Sequence, residues 1–188
     1  MSSDNLKGWH KRGYLPHLDC DEVIQFITFR LNDSIPKDVI TQWRDELAIT
    51  DLTSRNAKEY QKLQEMISKF EDSGYGECLL QDQQVYKIVK EAFEYYDGIR
   101  YDLLKLVIMP NHVHLLVKQK PGFSLSKIIH SWKSFTANEA NKYLNREGTL
   151  WMADYYDTYI RDDEHLEAVI KYIDKNIAML EKIQKKTS

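Results

Sequence analysis

Two strand-like runs, Tyr101 to Met109 (YDLLKLVIM) and Val113 to Val117 (VHLLV), stand on either side of Pro110-Asn111. So short a punctuation predicts a tight hairpin, and the rest of the fold has to be built around it. Val23 to Leu31 (VIQFITFRL), rich in β-branched and aromatic residues, predicts a first strand ending at Asn32-Asp33-Ser34. Three helices follow before the hairpin. Pro36 opens the first, with Val39, Ile40, Trp43 and Leu47 at helical spacing to about Ala48; Tyr60, Leu63, Met66, Ile67 and Phe70 mark the second; and Asp82 caps the third, whose stripe is Val85, Ile88, Val89, Ala92, Phe93 and Tyr96. Beyond the hairpin, Ser124 opens a helix with Leu125, Ile128, Ile129, Trp132 and Phe135 on its apolar face, Tyr155 to Ile160 is extended, and Asp162 or Asp163 caps a last helix. The order strand, helices, strand, strand, helix, strand, helix describes an α+β chain: a ferredoxin-like split βαβ sandwich with an antiparallel sheet and extra helices in its first crossover. One domain is expected over residues 1–188, with an N-terminal arm at 1–22, a helical crossover at 34–97 and the last helix at 162–184.

A chain of 188 residues with 43% apolar and 29% charged side chains is that of an ordinary globular domain. At this length folding buries roughly 70% of the unfolded surface, so neither disulfides nor a structural metal is required. Cys20 and Cys78 lie in no metal-ligand spacing, no signal-peptide pattern is legible, and no apolar run approaches the roughly 20 residues of a membrane span. A cytoplasmic protein without membrane partners is expected. The formal charge of −3 argues against a uniformly basic surface, but the halves differ: residues 1–100 carry 13 basic and 18 acidic side chains, and residues 101–188 carry 13 and 11. A site for a polyanion belongs in the second half.

On a strand, the period of two sends His112 and His114 out of one face, a geometry suited to a divalent cation; the same pattern also fits packing histidines. On the last helix, His165, Tyr172 and Asn176 stack on one side at roughly 100° per residue, beside the apolar stripe. A tyrosine hydroxyl can open a phosphodiester when a cation polarises a non-bridging oxygen, and the covalent phosphotyrosine so formed conserves the bond energy for rejoining. Among 12 tyrosines, Tyr172 also reads as a core-margin residue.

Several segments together resemble the REP-associated tyrosine transposases, the single-tyrosine branch of the HUH endonucleases. They are Trp9 to Leu31 (WHKRGYLPHLDCDEVIQFITFRL), Met109-Pro110-Asn111-His112-Val113-His114-Leu115-Leu116, Ser126 to Asn141 (SKIIHSWKSFTANEAN), and Trp151 with Tyr155-Tyr156-Asp157 through Arg161-Asp162-Asp163-Glu164-His165. The resemblance implies that His112 and His114 are the HUH metal pair on a central strand, that Tyr172 is the nucleophile, and that Asn176, one turn on, completes the metal site. It further implies Mg²⁺ or Mn²⁺ as cofactor, single-stranded DNA with a hairpin (repetitive palindromic elements) as partner, and a monomer or homodimer as the working unit. Relatives often have proline after this asparagine. Ile177 stands there instead, and the helix is expected to continue through Ala178, Met179, Leu180 and Ile183.

Further residues carry two readings each. Lys133 and Trp132 lie on a helix that lines a DNA path in the family, while Trp132 also fits the core stripe. Trp151 suits stacking on an unpaired base or a core plug. Arg161 and Lys175 can meet phosphates, or pair with Asp162, Asp163 or Asp174. Trp9-His10-Lys11-Arg12-Gly13-Tyr14 mixes cations and aromatics, as an arm on a nucleic-acid backbone would, with Arg12 as a DNA contact; a tethered tail is the alternative. His17 and His130 have no partner at useful spacing. Tyr155, Tyr156 and Tyr159, in a strand-like run, are rival nucleophiles. The competing functions are a domesticated DNA-binding or regulatory protein without turnover, and an RNA-binding ferredoxin-like module, which would carry aromatics on two central strands.

Overall fold

The computed structural model describes residues 8–12, 15–19, 22–49 and 58–187. Its elements are β1 (Gly8–Arg12), β2 (Leu15–Asp19), β3 (Ile24–Arg30), α1 (Lys37–Glu46), α2 (Lys58–Glu71), α3 (Gln83–Glu94), β4 (Tyr101–Ile108), β5 (His112–Gln119), α4 (Leu125–Tyr143), β6 (Tyr156–Tyr159) and α5 (Asp163–Thr187), with one 3-10 turn at Leu79–Gln81. Four strands pair in the order β4-β5-β3-β6, every neighbour antiparallel. Read from β6, this is fourth, first, third and second strand of the sheet, the order of a ferredoxin-like split βαβ unit with α1 and α2 added to the first crossover.

Both faces of the sheet are covered, which is why β3 and β5 read as nearly continuous apolar runs. Ile27, Phe29, Val113, Leu115 and Val117 turn to α3 and α4, whose Val89, Phe93, Ile129 and Trp132 complete that core. Phe26 and Leu116 turn the other way, with Val107 and Met109, onto Val169 and Ile173 of α5. His112, His114 and Leu116 share parity on β5, so the imidazoles belong to the α5 face. Local signals set the helix starts. The Asp82 carboxylate accepts from the backbone N–H groups of Gln84 and Val85, and Asp162 accepts from that of His165 at 2.7 Å. α5 runs on past Ile177 to Thr187, as expected without a proline. Lys105 of β4 reaches Asp174 of α5 at 2.5 Å and helps seat the helix.

Two expectations are corrected. The N-terminal arm forms a two-stranded ribbon instead, β1 against β2, with Arg12 opposite Leu15 in the register. The strands are short and carry charge and Pro16, so neither shows a clear apolar alternation. The Arg12 side chain, Gly13, Tyr14, Cys20 and the polar stretch at 51–57 lie outside the described residues. Phe135 is 54% exposed, because the buried face of α4 turns through Trp132, Thr136 and Ala140. α1 is amphipathic as predicted, with Val39, Ile40 and Trp43 half-buried on one side and Trp43 meeting Phe70 of α2 edge-on, though it buries no residue fully. The loop after α2 is held to the end of β3: Gly76 (φ +93°) lies so close to Asp33 that a Cβ would stand 2.9 Å from its carboxylate, and the N–H of Glu77 donates to that carboxylate at 2.7 Å. Among the described residues, no helix is long and apolar enough to cross a membrane.

Candidate active site

His112 and His114 are almost wholly buried, and their Nε2 atoms face each other at 3.0 Å. Neighbours set the outer nitrogens. The Asn111 amide nitrogen donates to the carbonyls of Glu71 (3.2 Å) and Tyr75 (2.9 Å), so its oxygen must be the atom 2.8 Å from His112 Nδ1. His112 therefore carries its proton on Nδ1 and presents a bare Nε2. His114 Nδ1 lies 2.7 Å from Thr28 Oγ1, a hydroxyl able to accept, which lets His114 present a bare Nε2 as well. Burial holds both rings neutral: it depresses His112 to about 3, aided by the charge of Arg30, and pushes His114 well below the ordinary imidazole range, aided by His112.

Two lone pairs converging at this distance, with protonation opposed, have the spacing and character that a divalent cation would require of two of its ligands. Adjacent ligands about 2.1 Å from an octahedral ion lie about 3.0 Å apart. Among the described residues no three His, Cys, Asp or Glu side chains converge, so any third protein ligand is of another type. Asn176, buried on α5, donates through its amide nitrogen to the Tyr172 carbonyl at 2.9 Å, so its oxygen is the atom that could ligate. The residues present fit the group.

Tyr172 reaches this pair from α5. It precedes the fully buried Ile173, so its ring leaves the stripe at the margin and its hydroxyl stands 3.3 Å from His114 Nε2 and 3.0 Å from Ser68 Oγ. Its ring meets Phe26 edge-on, and Phe26 stacks on His114 at 5.5 Å between centroids. Burial raises the phenol above its usual range, against the lowering effect of hydrogen bonds from the Ser68 hydroxyl and the Asn176 side chain. Across the sheet from His112 in the register, Arg30 pairs with Glu71 at 3.3 Å. Burial lifts the Glu71 carboxyl to about 7 despite Arg30.

The remaining sequence-predicted residues fall elsewhere. His165 accepts the Arg161 backbone N–H at 3.4 Å, two turns and about 10 Å along the axis from Tyr172. Arg161 and Lys175 are exposed, with Lys175 close enough to Asp72 to oppose the rise that burial gives its carboxyl. The Lys133 ammonium is spent internally on the carbonyls of Met152, Ala153 and Asp154 at 3.0–3.3 Å and sits over the rings of Phe29 and Tyr155. Trp151 is 3% exposed, donates to Thr136 Oγ1 at 2.8 Å and packs edge-on against Phe29; of its two readings the core plug describes it. Of the rival tyrosines, Tyr155 is core and Tyr159 exposed, while Tyr156 packs on the α5 face, one strand further from the imidazoles. Sequence reasoning missed Thr28, Arg30, Asn111, Glu71 and Ser68. Strand parity with Phe26 and adjacency to His112 hold a signal for Thr28, Arg30 and Asn111; nothing local marks the other two.

A family model described as IS200-like transposase matches residues 76–176, more than half of the chain. Among solved structures, a REP-associated tyrosine transposase bound to a REP hairpin is similar at 12% identity, over 89% of this chain and 70% of that one, with a TM-score of 0.48. A candidate transposase from Deinococcus radiodurans R1 is similar at 16% identity, over 89% of this chain and 95% of that one, with a TM-score of 0.38. No curated protein matches. The family match spans the hairpin that carries both imidazoles and ends on Asn176, one turn past Tyr172, and the chain belongs to the IS200-like transposase family.

Proposed function

We propose that the protein is a metal-dependent endonuclease and strand transferase for single-stranded DNA bearing a hairpin, working through a 5′-phosphotyrosine. The observation that carries this reading is one contact chain: the Tyr172 hydroxyl 3.3 Å from His114 Nε2, itself 3.0 Å from His112 Nε2. His112, His114 and the Asn176 oxygen would hold Mg²⁺ or Mn²⁺. The bound ion supplies charge for a non-bridging phosphate oxygen and for the leaving oxygen. Tyr172 attacks phosphorus: its oxygen–phosphorus bond forms, the bond from phosphorus to the 3′ oxygen breaks, and the phenolic proton passes to solvent while the 3′ oxygen gains one. A 3′-hydroxyl attacking the phosphotyrosine reverses these changes and joins strands without ATP. Phe26 braces the phenol ring edge-on, and Asn111 and Thr28 keep the imidazoles turned inward.

The test is incubation with Mn²⁺ and a pool of labelled single-stranded oligonucleotides, each with one hairpin and randomised flanks. A denaturant-resistant protein–DNA adduct is expected, and Tyr172→Phe should abolish it with DNA binding retained. Binding without any adduct supports the domesticated, non-catalytic reading, and an adduct that survives Tyr172→Phe excludes the nucleophile assigned.

A further inference from the structure

α2 lies outside the segment shared with the family, yet its last turn is fastened around the Tyr172 phenol. Ser68, Glu71 and Asp72 fall at intervals of three and four and so share a face. Ser68 meets Tyr172; Glu71 pairs with Arg30 and gives its carbonyl to Asn111; Asp72 senses Lys175, three residues beyond Tyr172 on α5. The Ser68 Oγ to Tyr172 oxygen distance, 3.0 Å, is shorter than the 3.3 Å from that oxygen to His114 Nε2. A phenol has one proton to donate. If it goes to the imidazole, the Ser68 hydroxyl is the donor to the phenol oxygen. An imidazole lone pair given to a cation can no longer accept it, which leaves that oxygen to the Ser68 hydroxyl and to the Asn176 amide, and of these two Ser68 is the one not assigned to the cation.

We infer that Ser68 is a catalytic residue of strand transfer, its hydroxyl holding the Tyr172 oxygen so that a free lone pair faces the scissile phosphorus. The inference rests on the phosphotyrosine reading above and adds to it a group supplied by the helical crossover. Alignment of this kind acts on the rate of attack and not on DNA affinity, because Ser68 touches the nucleophile and not the strand.

The test uses Ser68→Ala, Ser68→Val and Ser68→Thr in the full chain, the last two being alike in shape and different in the hydroxyl. With Mn²⁺ and the hairpin pool, Ala and Val should slow adduct formation roughly 10- to 100-fold while affinity for the pool changes less than about twofold, and Thr should return the rate to within about threefold of wild type. Independently of DNA and metal, protein labelled with ¹³Cζ-tyrosine reports the contact: the Tyr172 resonance, assigned by its loss in Tyr172→Phe, should move in Ala and Val and return in Thr. Wild-type rates in Ala, or a Tyr172 resonance unmoved in Ala, overturn the inference while leaving the phosphotyrosine reading in place. No adduct from wild-type protein, with a resonance that does respond, removes the phosphotyrosine reading and leaves Ser68 a structural contact only.

Discussion

His112 and His114 owe their chemistry to burial on a sheet whose two faces are both covered. An exposed imidazole exchanges protons near pH 6.5, whereas these two sit in an apolar layer that disfavours the charged form. The neutral ring is the one that ligates, so a depressed value extends ligation to lower pH. Lowering the pH from 7 to 5.5 should change Mn²⁺ affinity less than about threefold, whereas two ordinary imidazoles would each be about nine-tenths protonated at 5.5 and lose roughly 100-fold. Electron paramagnetic resonance of free Mn²⁺ in a titration at the two pH values reads this directly. A drop approaching the larger figure would mean that the pair is solvated and not locked by Asn111 and Thr28.

At the scale of elements, helix α4 and the segment leading into β6 illustrate how a charged residue becomes part of a fold. Lys133 extends from α4 to the segment before β6 and satisfies three successive carbonyls there, between two aromatic rings. Burial lowers its ammonium to about 8, still charged at neutral pH. Lys133→Met strands those carbonyls and should lower stability by about 2–3 kcal/mol in urea unfolding, with the salt dependence of DNA binding unchanged. A shallower salt dependence at full stability would instead make Lys133 a phosphate contact. The elements that sequence made legible are those fixed by neighbours a few residues away: the β4–β5 hairpin at Pro110-Asn111, the Asp82 and Asp162 caps, and the parity that puts both imidazoles on one face. What depended on distant chain was not. Trp151 reads equally as a stacking platform until Thr136 and Phe29 are seen to enclose it, and Ser68 is an unremarkable helix residue until α5 brings Tyr172 to it across 104 positions. The β1–β2 ribbon was obscured because strands of five residues with mixed charge carry no strong period.

For the whole molecule, the sheet separates two jobs. The α3–α4 face holds the larger core, and the α5 face is a smaller core with His112, His114 and Tyr172 set beside it. A net charge of −3 would leave any attraction for DNA to local groups, and exposed Arg161, just ahead of α5, and exposed Lys175, on α5, stand on either side of Tyr172 in the sequence. Arg161→Gln and Lys175→Gln should each weaken binding to the hairpin pool evenly across sequences and reduce the salt slope by about 0.7, the value for one phosphate contact on a single strand. An unchanged slope would assign these side chains to their acidic neighbours. On the function proposed, one phenol, carried by α5 to a pair of neutral imidazoles, takes the DNA. Digestion of the denatured adduct and mass spectrometry of the DNA-linked peptide measure that most directly. The expected result is a nucleotide phosphate on Tyr172; its appearance on Tyr155, Tyr156, Tyr159 or any residue outside α5 would contradict the account.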